Sequence, residues 1–344
     1  MSEQLLKGPA AEEALRNYFL SIGYFVIRGC KFKFNRFDVT DIDLWLYGRS
    51  SPLSRERINV DIKNKKTPQA LERIFWAKGL QSVLNLDGCI VSTNDIRSDV
   101  REFGLQHQVK VLDGRFMGRL TKNVRSQMQR ITEEQFFAQI DQASLGKLGG
   151  DWKGRYESSK SRILSSLTFD ECNAWLDDIE YFLGQLQSSS MSNTSPAWRM
   201  VYVSCAHFIV SIDFILREHV AVDQEQRRVL LDSGFRYGIA GKSFTEKVGG
   251  MVATLVGSIV SQPGFAETVE RELSEQAAVV KAEVLAEFFS KGATLSGLFE
   301  VARELEAAAF GIQVPMPSSL TVAVQSIIGI LADFCGMDRK RILV

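Results

Sequence analysis

The chain has 344 residues, 45% of them apolar, which is enough for two ordinary domains or one large one and excludes a mainly disordered chain. Its formal net charge of zero hides an asymmetry: residues 1–130 hold 22 Lys and Arg against 14 Asp and Glu, a net of +8, and residues 131–344 hold 19 against 27, a net of −8. The basic first part points to a polyanionic partner, and the acidic remainder to a different task.

A first helix is predicted over residues 9–22, where Ala11, Leu15, Tyr18 and Ile22 recur at helical spacing and Gly23 stops the run. Tyr24–Ile27 and the charge-alternating Lys31–Phe34 read as extended chain. Phe37–Tyr47 is a second strand ended by Gly48, and residues 49–57, with Ser, Pro and Arg, form a loop. Ile58–Lys63 is a third strand, with Ile58, Val60 and Ile62 on one face and Asn59, Asp61 and Lys63 on the other. Thr67-Pro68 opens a helix that runs to about Leu86, since proline suits a first helical turn. Gly88–Thr93 is an apolar strand, Asp95 to about His107 a helix, and Val109–Leu112 a strand before Asp113-Gly114. The expected order is α-β-β-β-α-β-α-β, an α/β domain over residues 1–124 in which a three-strand meander continues through helical returns into a mixed sheet.

Beyond residue 125 the strand signal fades, and a mostly α-helical region is expected over residues 125–344. Thr132-x-x-Gln135 and Thr168-x-x-Glu171 have the form of capping boxes. Trp175, Ile179, Phe182, Leu183 and Leu186 form a helical stripe, and the polar stretch 185–196 marks a break. Further punctuation comes at Gly238–Gly241, at Gln262-Pro263-Gly264 and at Pro315-Met316-Pro317. Three apolar runs, Met200–Ile212, Val248–Ala266 and Ser318–Ala332, are too short or too broken for the roughly 20 apolar residues of a membrane span, so they are expected as buried helices. His207 lies in the first of them and reads as a core histidine, and Trp175 and Trp198 as core tryptophans. Five scattered cysteines with no C-x-x-C argue against a disulfide framework or zinc site and for a reducing compartment. The opening MSEQLLKGPAAEEAL lacks the apolar core of a signal peptide, so a cytoplasmic protein is expected.

The chemistry concentrates in Asp41-Ile42-Asp43-Leu44 and Asp61-Ile62-Lys63. Carboxylates on two neighbouring strands, with a lysine two residues past the second, suit a magnesium-dependent phosphodiesterase. Mg²⁺ is held through one or two carboxylates, with waters and phosphate completing the octahedron. It can activate the water, stabilise the phosphorane-like charge and assist the leaving oxygen. Asp43 and Asp61 are the candidate ligands for Mg²⁺ or Mn²⁺. Lys63 would orient or deprotonate the attacking water and offset negative charge. Asn59 or Asp41 would add an outer contact, although Asp41 reads better as a surface carboxylate.

These stretches resemble the PD-(D/E)xK, or restriction-endonuclease-like, nuclease superfamily, most closely its Mrr-type and archaeal-resolvase-type branches. The resemblance covers roughly residues 8–115. It rests on Glu12 in a helix ending at Gly23-Tyr24, on Ile42-Asp43-Leu44, on Val60-Asp61-Ile62-Lys63, and on the tail ending in Val111-Leu112-Asp113-Gly114. It implies that Asp43, Asp61 and Lys63 are catalytic and that Glu12 is the first-helix glutamate, with Glu13 as fallback. Gln69 and Gln81 are the candidates for the glutamine that often follows the lysine. Ile42 stands where the motif's name has proline, and Asp61 where glutamate is more frequent.

The resemblance further implies a nuclease acting on nucleic acid, most naturally double-stranded DNA, in restriction or anti-phage defence. Because two-strand cleavage needs two sites, it also implies a homodimer or a partner protein held through the helical region. Two other readings stay open: a non-cleaving DNA-binding scaffold, and an RNA-directed or toxin-like nuclease controlled by a C-terminal sensor. Lys31, Lys33, Arg36, Lys65 and Lys66 are candidate phosphate contacts, against the alternative of an edge strand protected by lysines. Arg115, Arg119, Lys122 and Arg125 recur at helical spacing and read as a solvated connector or a basic face. Gly241-Lys242-Ser243 ends like a P-loop but lacks the earlier glycine, Arg236 standing in its place, so a turn between helices is expected.

Overall fold

The computed structural model describes residues 7–35, 37–63, 69–123, 130–144, 150–188, 193–259 and 264–343. Helix α1 (Lys7–Ser21) ends where Gly23 takes φ +102°, a left-handed value that favours glycine. Strands β1 (Phe25–Phe34), β2 (Phe37–Gly48) and β3 (Glu56–Lys63) then form an antiparallel meander. Helix α2 (Ala70–Val83) leads to β4 (Gly88–Thr93), and α3 (Ser98–Gln106) to β5 (Lys110–Leu112), both parallel to β3. The strands lie in the sheet in sequence order, and α4 (Gly114–Asn123) follows.

Alternation along the strands sorts the cores. Leu44 and Leu46 of β2 and Ile58, Val60 and Ile62 of β3 pack with Ala11, Leu15 and Phe19 of α1 and with Met117 and Leu120 of α4. On the opposite face, Cys89 and Val91 of β4 meet Ile74 and Ala77 of α2 and Val100 of α3. On that same face, Phe25 and Ile27 of β1 and Trp45 and Tyr47 of β2 belong to the core of the helical region.

That region comprises α5 (Glu133–Ser144), α6 (Trp152–Arg162), α7 (Phe169–Ser188), α8 (Ser195–Leu216), α9 (Gln224–Tyr237), α10 (Gly241–Ile259), α11 (Phe265–Val279), α12 (Ala282–Phe289), α13 (Gly292–Phe310), α14 (Val322–Phe334) and α15 (Arg339–Leu343). Apolar packing is continuous from Trp45 and Tyr47 through Trp175 and Phe208 to Phe310, so it runs across the boundary expected near residue 124. Helix α8 lies between α7 and α13. With its short extension to His219 it is long and apolar enough to cross a membrane, but 94% of its apolar window is buried inside the protein. His207 sits there, buried, with Nδ1 2.8 Å from Ser159 Oγ, and Trp175 Nε1 donates to the same hydroxyl at 2.9 Å. By contrast, α10 leaves Phe244, Met251, Leu255 and Ile259 exposed.

Both capping boxes form contacts of the expected kind. The Thr132 amide donates to Gln135 Oε1 at 2.9 Å and the Gln135 amide to Thr132 Oγ1 at 3.3 Å. The Thr168 amide donates to Glu171 Oε2 at 2.8 Å. Several boundaries differ from expectation. Helix α3 starts at Ser98 rather than Asp95, because Asp95 turns back to accept from the Arg97 amide at 3.0 Å. Helix α2 ends at Val83, two residues before Asn85 takes φ 49°. Thr67-Pro68 lies outside the described residues. Helix α7 continues to Ser188, into the stretch expected to be loop. Gly241, at φ +74°, opens α10, so Gly241-Lys242-Ser243 is a turn into a helix.

Candidate functional site

Strands β2 and β3 are paired from Gly48↔Glu56 to Leu44↔Val60 and pair no further. Beyond that point β2 continues with β1, and β3 continues with β4 as far as Lys63↔Thr93. The sheet therefore forks where Asp43 and Asp61 stand. The β1–β2 ribbon turns over at the same level. Gly29 takes φ +65°, and Cys30 and Ile42 join the helical-region core, whereas Arg28, just before that glycine, meets α1. The fork leaves Asp43 flanked only by β1, with no β3 residue in register opposite it.

Asp43 Oδ2 accepts from the Ile62 amide at 2.6 Å, which ties it to the backbone between Asp61 and Lys63. Burial pushes its carboxyl up to about 6; the Ile62 amide pulls the other way, and the nearby Glu12 charge adds to the rise. Lys63 and Arg73 lie close enough to lower it in part. Lys63 is partly buried and makes no ion pair with a described residue. Asp61, 6% exposed, is gripped by Arg73 of α2, whose Nε donates to Oδ2 at 2.7 Å and whose Nη2 donates to Oδ1. Its strand neighbour Asn59 donates to the Ala77 carbonyl of α2 at 3.2 Å.

Glu12 accepts from Arg28 Nε at 2.7 Å, while Arg28 also holds Glu13 at 2.9 Å and Glu134 at 2.7 Å. Burial opposes the charge of Arg28, but Glu134, Glu13 and Glu12 outweigh it and hold its pKa up. Glu13 faces inward. It meets Arg16, which reaches on to Glu306 of α13 at 2.9 Å, and Lys160 of α6 meets Glu133 at 2.7 Å. Glu12, rather than Glu13, therefore stands at the surface of this ionic network. A cavity of about 300 Å³ opens beside it, lined by Glu12, Arg28, Lys31, Asp43, Glu134 and Lys160 among others, with Asp41 also on its wall.

The structure thus brings Glu12 and Asp43 to one cavity, with Asp61 and Lys63 on the adjoining strand. Among the described residues, no three His, Cys, Asp or Glu side chains converge as a metal-holding group. The donor set nonetheless fits a hard divalent cation at Asp43, whose Oδ1 is not taken by the Ile62 amide and which lies near Glu12. Asp61 fits the same ion only if Arg73 releases it.

Of the candidate phosphate contacts, Lys31 lies 3.5 Å from Glu157 and Lys33 lies 3.8 Å from Asp38, both partly exposed; Arg36, Lys65 and Lys66 lie outside the described residues. Gln81 is committed at the far end of α2, donating to the Leu86 carbonyl at 3.3 Å and accepting from Cys89, and Gln69 occupies the N-cap position of α2 without a side-chain cap bond. Arg73 and Arg28 were not singled out from the sequence. Their only signal there is an arginine on a helix or strand next to an acidic motif, which is too common to read. Comparison of the chain with protein-family models, with curated proteins and with solved structures found no match.

Proposed function

We propose that this protein is a metal-dependent nuclease whose active site is the fork between β2 and β3. The observation that carries the reading is Asp43: a partly buried carboxylate where the β2–β3 pairing ends, its pKa raised by that burial, beside Glu12 and tied through Ile62 to Asp61 and Lys63. A stable fold gains nothing from leaving a half-buried carboxylate in that condition. Asp43 and Glu12 would hold Mg²⁺ or Mn²⁺, with Asp61 joining on release from Arg73. When bound, the ion supplies Lewis-acid stabilisation and a more acidic water. Lys63, with no ion pair to a described residue, offers a positive charge to the phosphate and a partner for the attacking water. Duplex DNA is the favoured substrate, by the resemblance of Ile42-Asp43-Leu44 and Val60-Asp61-Ile62-Lys63 to the PD-(D/E)xK pattern.

A second reading, a nuclease-like fold that grips nucleic acid without cutting it, draws on the Asp61–Arg73 pair. A guanidinium already neutralises that carboxylate.

One assay separates the readings: plasmid DNA, linear DNA and RNA incubated with the full chain and Mg²⁺ or Mn²⁺, alongside Asp43→Asn and Lys63→Ala. The nuclease reading expects metal-dependent cleavage that falls by roughly 10²–10⁴-fold in each variant. Binding without cleavage under every metal condition supports the second reading. Preferential RNA cleavage reassigns the substrate, and full activity in Lys63→Ala removes the site.

A further inference from the structure

Every described arginine but two has a hydrogen-bonding or ion-pair partner among the described residues; the two are Arg115 and Arg119 of α4. The exceptions are not scattered. They are four residues apart on one helix, hence on one face, and both are exposed. With Arg101 of α3 they line a polar cavity of about 320 Å³. Its one acid, Asp113, is engaged: it accepts from the Phe116 amide at 2.9 Å and lies 3.7 Å from Arg101. Three arginines against one carboxylate leave a local charge of 3 − 1 = +2. The other described guanidinium groups are paired even on the surface, so two with no partner among the described residues, around one cavity, await a ligand from outside. Arginine's planar fork matches the oxygens of a phosphate.

Position identifies which phosphate. Strands β3, β4 and β5 run parallel, and their registers, Lys63↔Thr93 and Ser92↔Leu112, bring their C-terminal ends to one edge of the sheet. Asp113 and α4 follow directly from β5 at that edge. Two strand spacings, about 10 Å, separate β5 from β3 and Lys63. A nucleic-acid strand with one charge per ~3.4 Å of axis covers that in about three nucleotides. We infer that Arg101, Arg115 and Arg119 form a binding site for the phosphodiester backbone of the nucleic-acid substrate, placing that backbone along the C-terminal edge of the sheet and across Lys63. The identity of the polyanion rests on the nuclease reading, whereas the anion chemistry of the cavity does not.

The test is the affinity of the full chain for a short fluorescein-labelled duplex, and for single-stranded RNA of equal length. It is read by anisotropy in EDTA, so that nothing is cut, at salt from about 50 to 200 mM. Wild type is compared with Arg115→Ala/Arg119→Ala and with Arg115→Lys/Arg119→Lys. Both positions are exposed, so the fold is not at risk. The alanine pair should weaken binding roughly tenfold and flatten the plot of log K against log salt by about 1.8, two contacts at ~0.9 each, whereas the lysine pair keeps most of the slope. In the cleavage assay with metal the alanine pair should raise KM and leave kcat near wild type.

An unchanged slope in the alanine pair, with wild type cleaving, overturns this site and leaves the nuclease reading standing. A wild type that neither binds nor cleaves overturns both. Calorimetry with a mononucleotide gives the last arm: loss of mononucleotide binding alone, with duplex affinity untouched, assigns the cavity to a free phosphate compound and overturns the proposal.

Discussion

Strand β2 meets the aspartate of another element at its C-terminal end and carries its own Asp43 near its middle, and the two are treated in opposite ways. At its C-terminal end Asp213, reaching in from α8, is completely buried and saturated. It accepts from Tyr47 Oη at 2.6 Å, from Arg55 Nε at 2.5 Å and Nη2 at 2.9 Å, and from Arg49 Nη1 at 3.1 Å. In mid-strand Asp43 has one amide, a neighbouring acid in Glu12 and a carboxyl that burial pushes up to about 6, with the charges of Lys63 and Arg73 opposing the rise only in part. Asp213 holds the β2–β3 connection to the helical region. Asp43 holds nothing that an uncharged side chain would not hold as well. A buried acid whose valences are all met by the protein is architecture; one whose valences are left open is a place for something else.

The largest effect should come from emptying the saturated end. Asp213→Ala strands the Arg55 guanidinium, whose side chain is wholly buried, and removes the acceptor of Tyr47, at a cost of about 3–5 kcal/mol. Urea unfolding measures it. A loss under 1 kcal/mol would place Asp213 with the dispensable ion pairs and dissolve the contrast.

His207 gives the next largest effect, and it depends on pH. Burial, with the charges of Lys160 and Arg162 in support, lowers its pKa to about 3. The unfolded value is about 6.5, so as pH falls below that the unfolded chain takes up a proton that the native state refuses. The stability is complete above about pH 6.5 and drains away toward pH 3. Between pH 7 and about 4.5 the loss is about 2.7 kcal/mol, two units at 1.36 each. His207→Gln, which can still meet Ser159, lacks this increment, so its stability gap to wild type should narrow by that amount on acidification. A constant gap would mean that the imidazole is solvated.

Arg73→Gln probes the carboxylate that lies between the two extremes. Asp61 is saturated by one arginine alone, so without metal the variant should lose about 1–3 kcal/mol. Added Mg²⁺ should then raise the thermal midpoint of the variant more than that of wild type, because the ion replaces the missing charge. Equal responses would assign Asp61 to the architectural class with Asp213.

What the residues alone disclose follows from how far apart the interacting groups lie. The face assignment of Ile58, Val60 and Ile62 and the contacts of the Thr132 and Thr168 caps depend on neighbours within a few positions, and all were legible. Asp43, Asp61 and Lys63 were legible as a pattern, but the Arg73 grip on Asp61 spans a strand end and a helical turn. The Arg28 clamp joins Glu12 to Glu134, 122 positions further along the chain. No local spacing encodes either. The lack of a partner for Arg115 and Arg119 among the described residues was illegible for a related reason: the spacing showed a basic face, but only the set of ion pairs in the fold shows that no described residue answers it.

The smallest effect is the most discriminating, because its sign is reversed. Asp43→Asn keeps an oxygen for the Ile62 amide and removes the charge. The native pKa of about 6 lies some two units above the unfolded value, so ionised Asp43 costs stability above about pH 4 and costs the full amount above pH 6. Two units correspond to about 3 kcal/mol, and partial exposure reduces that to a gain of about 1–2 kcal/mol for the asparagine variant near pH 7.5, vanishing below pH 4. The same exchange at Asp213 should destabilise at neutral pH, because it weakens the charge-assisted bonds to Arg55 and Arg49. Metal-free urea titrations of Asp43→Asn and Asp213→Asn side by side decide the matter. Opposite signs identify Asp43 as an acid kept at the expense of stability, whereas equal signs make it one more structural carboxylate and leave the fork without a chemical reason for its charge.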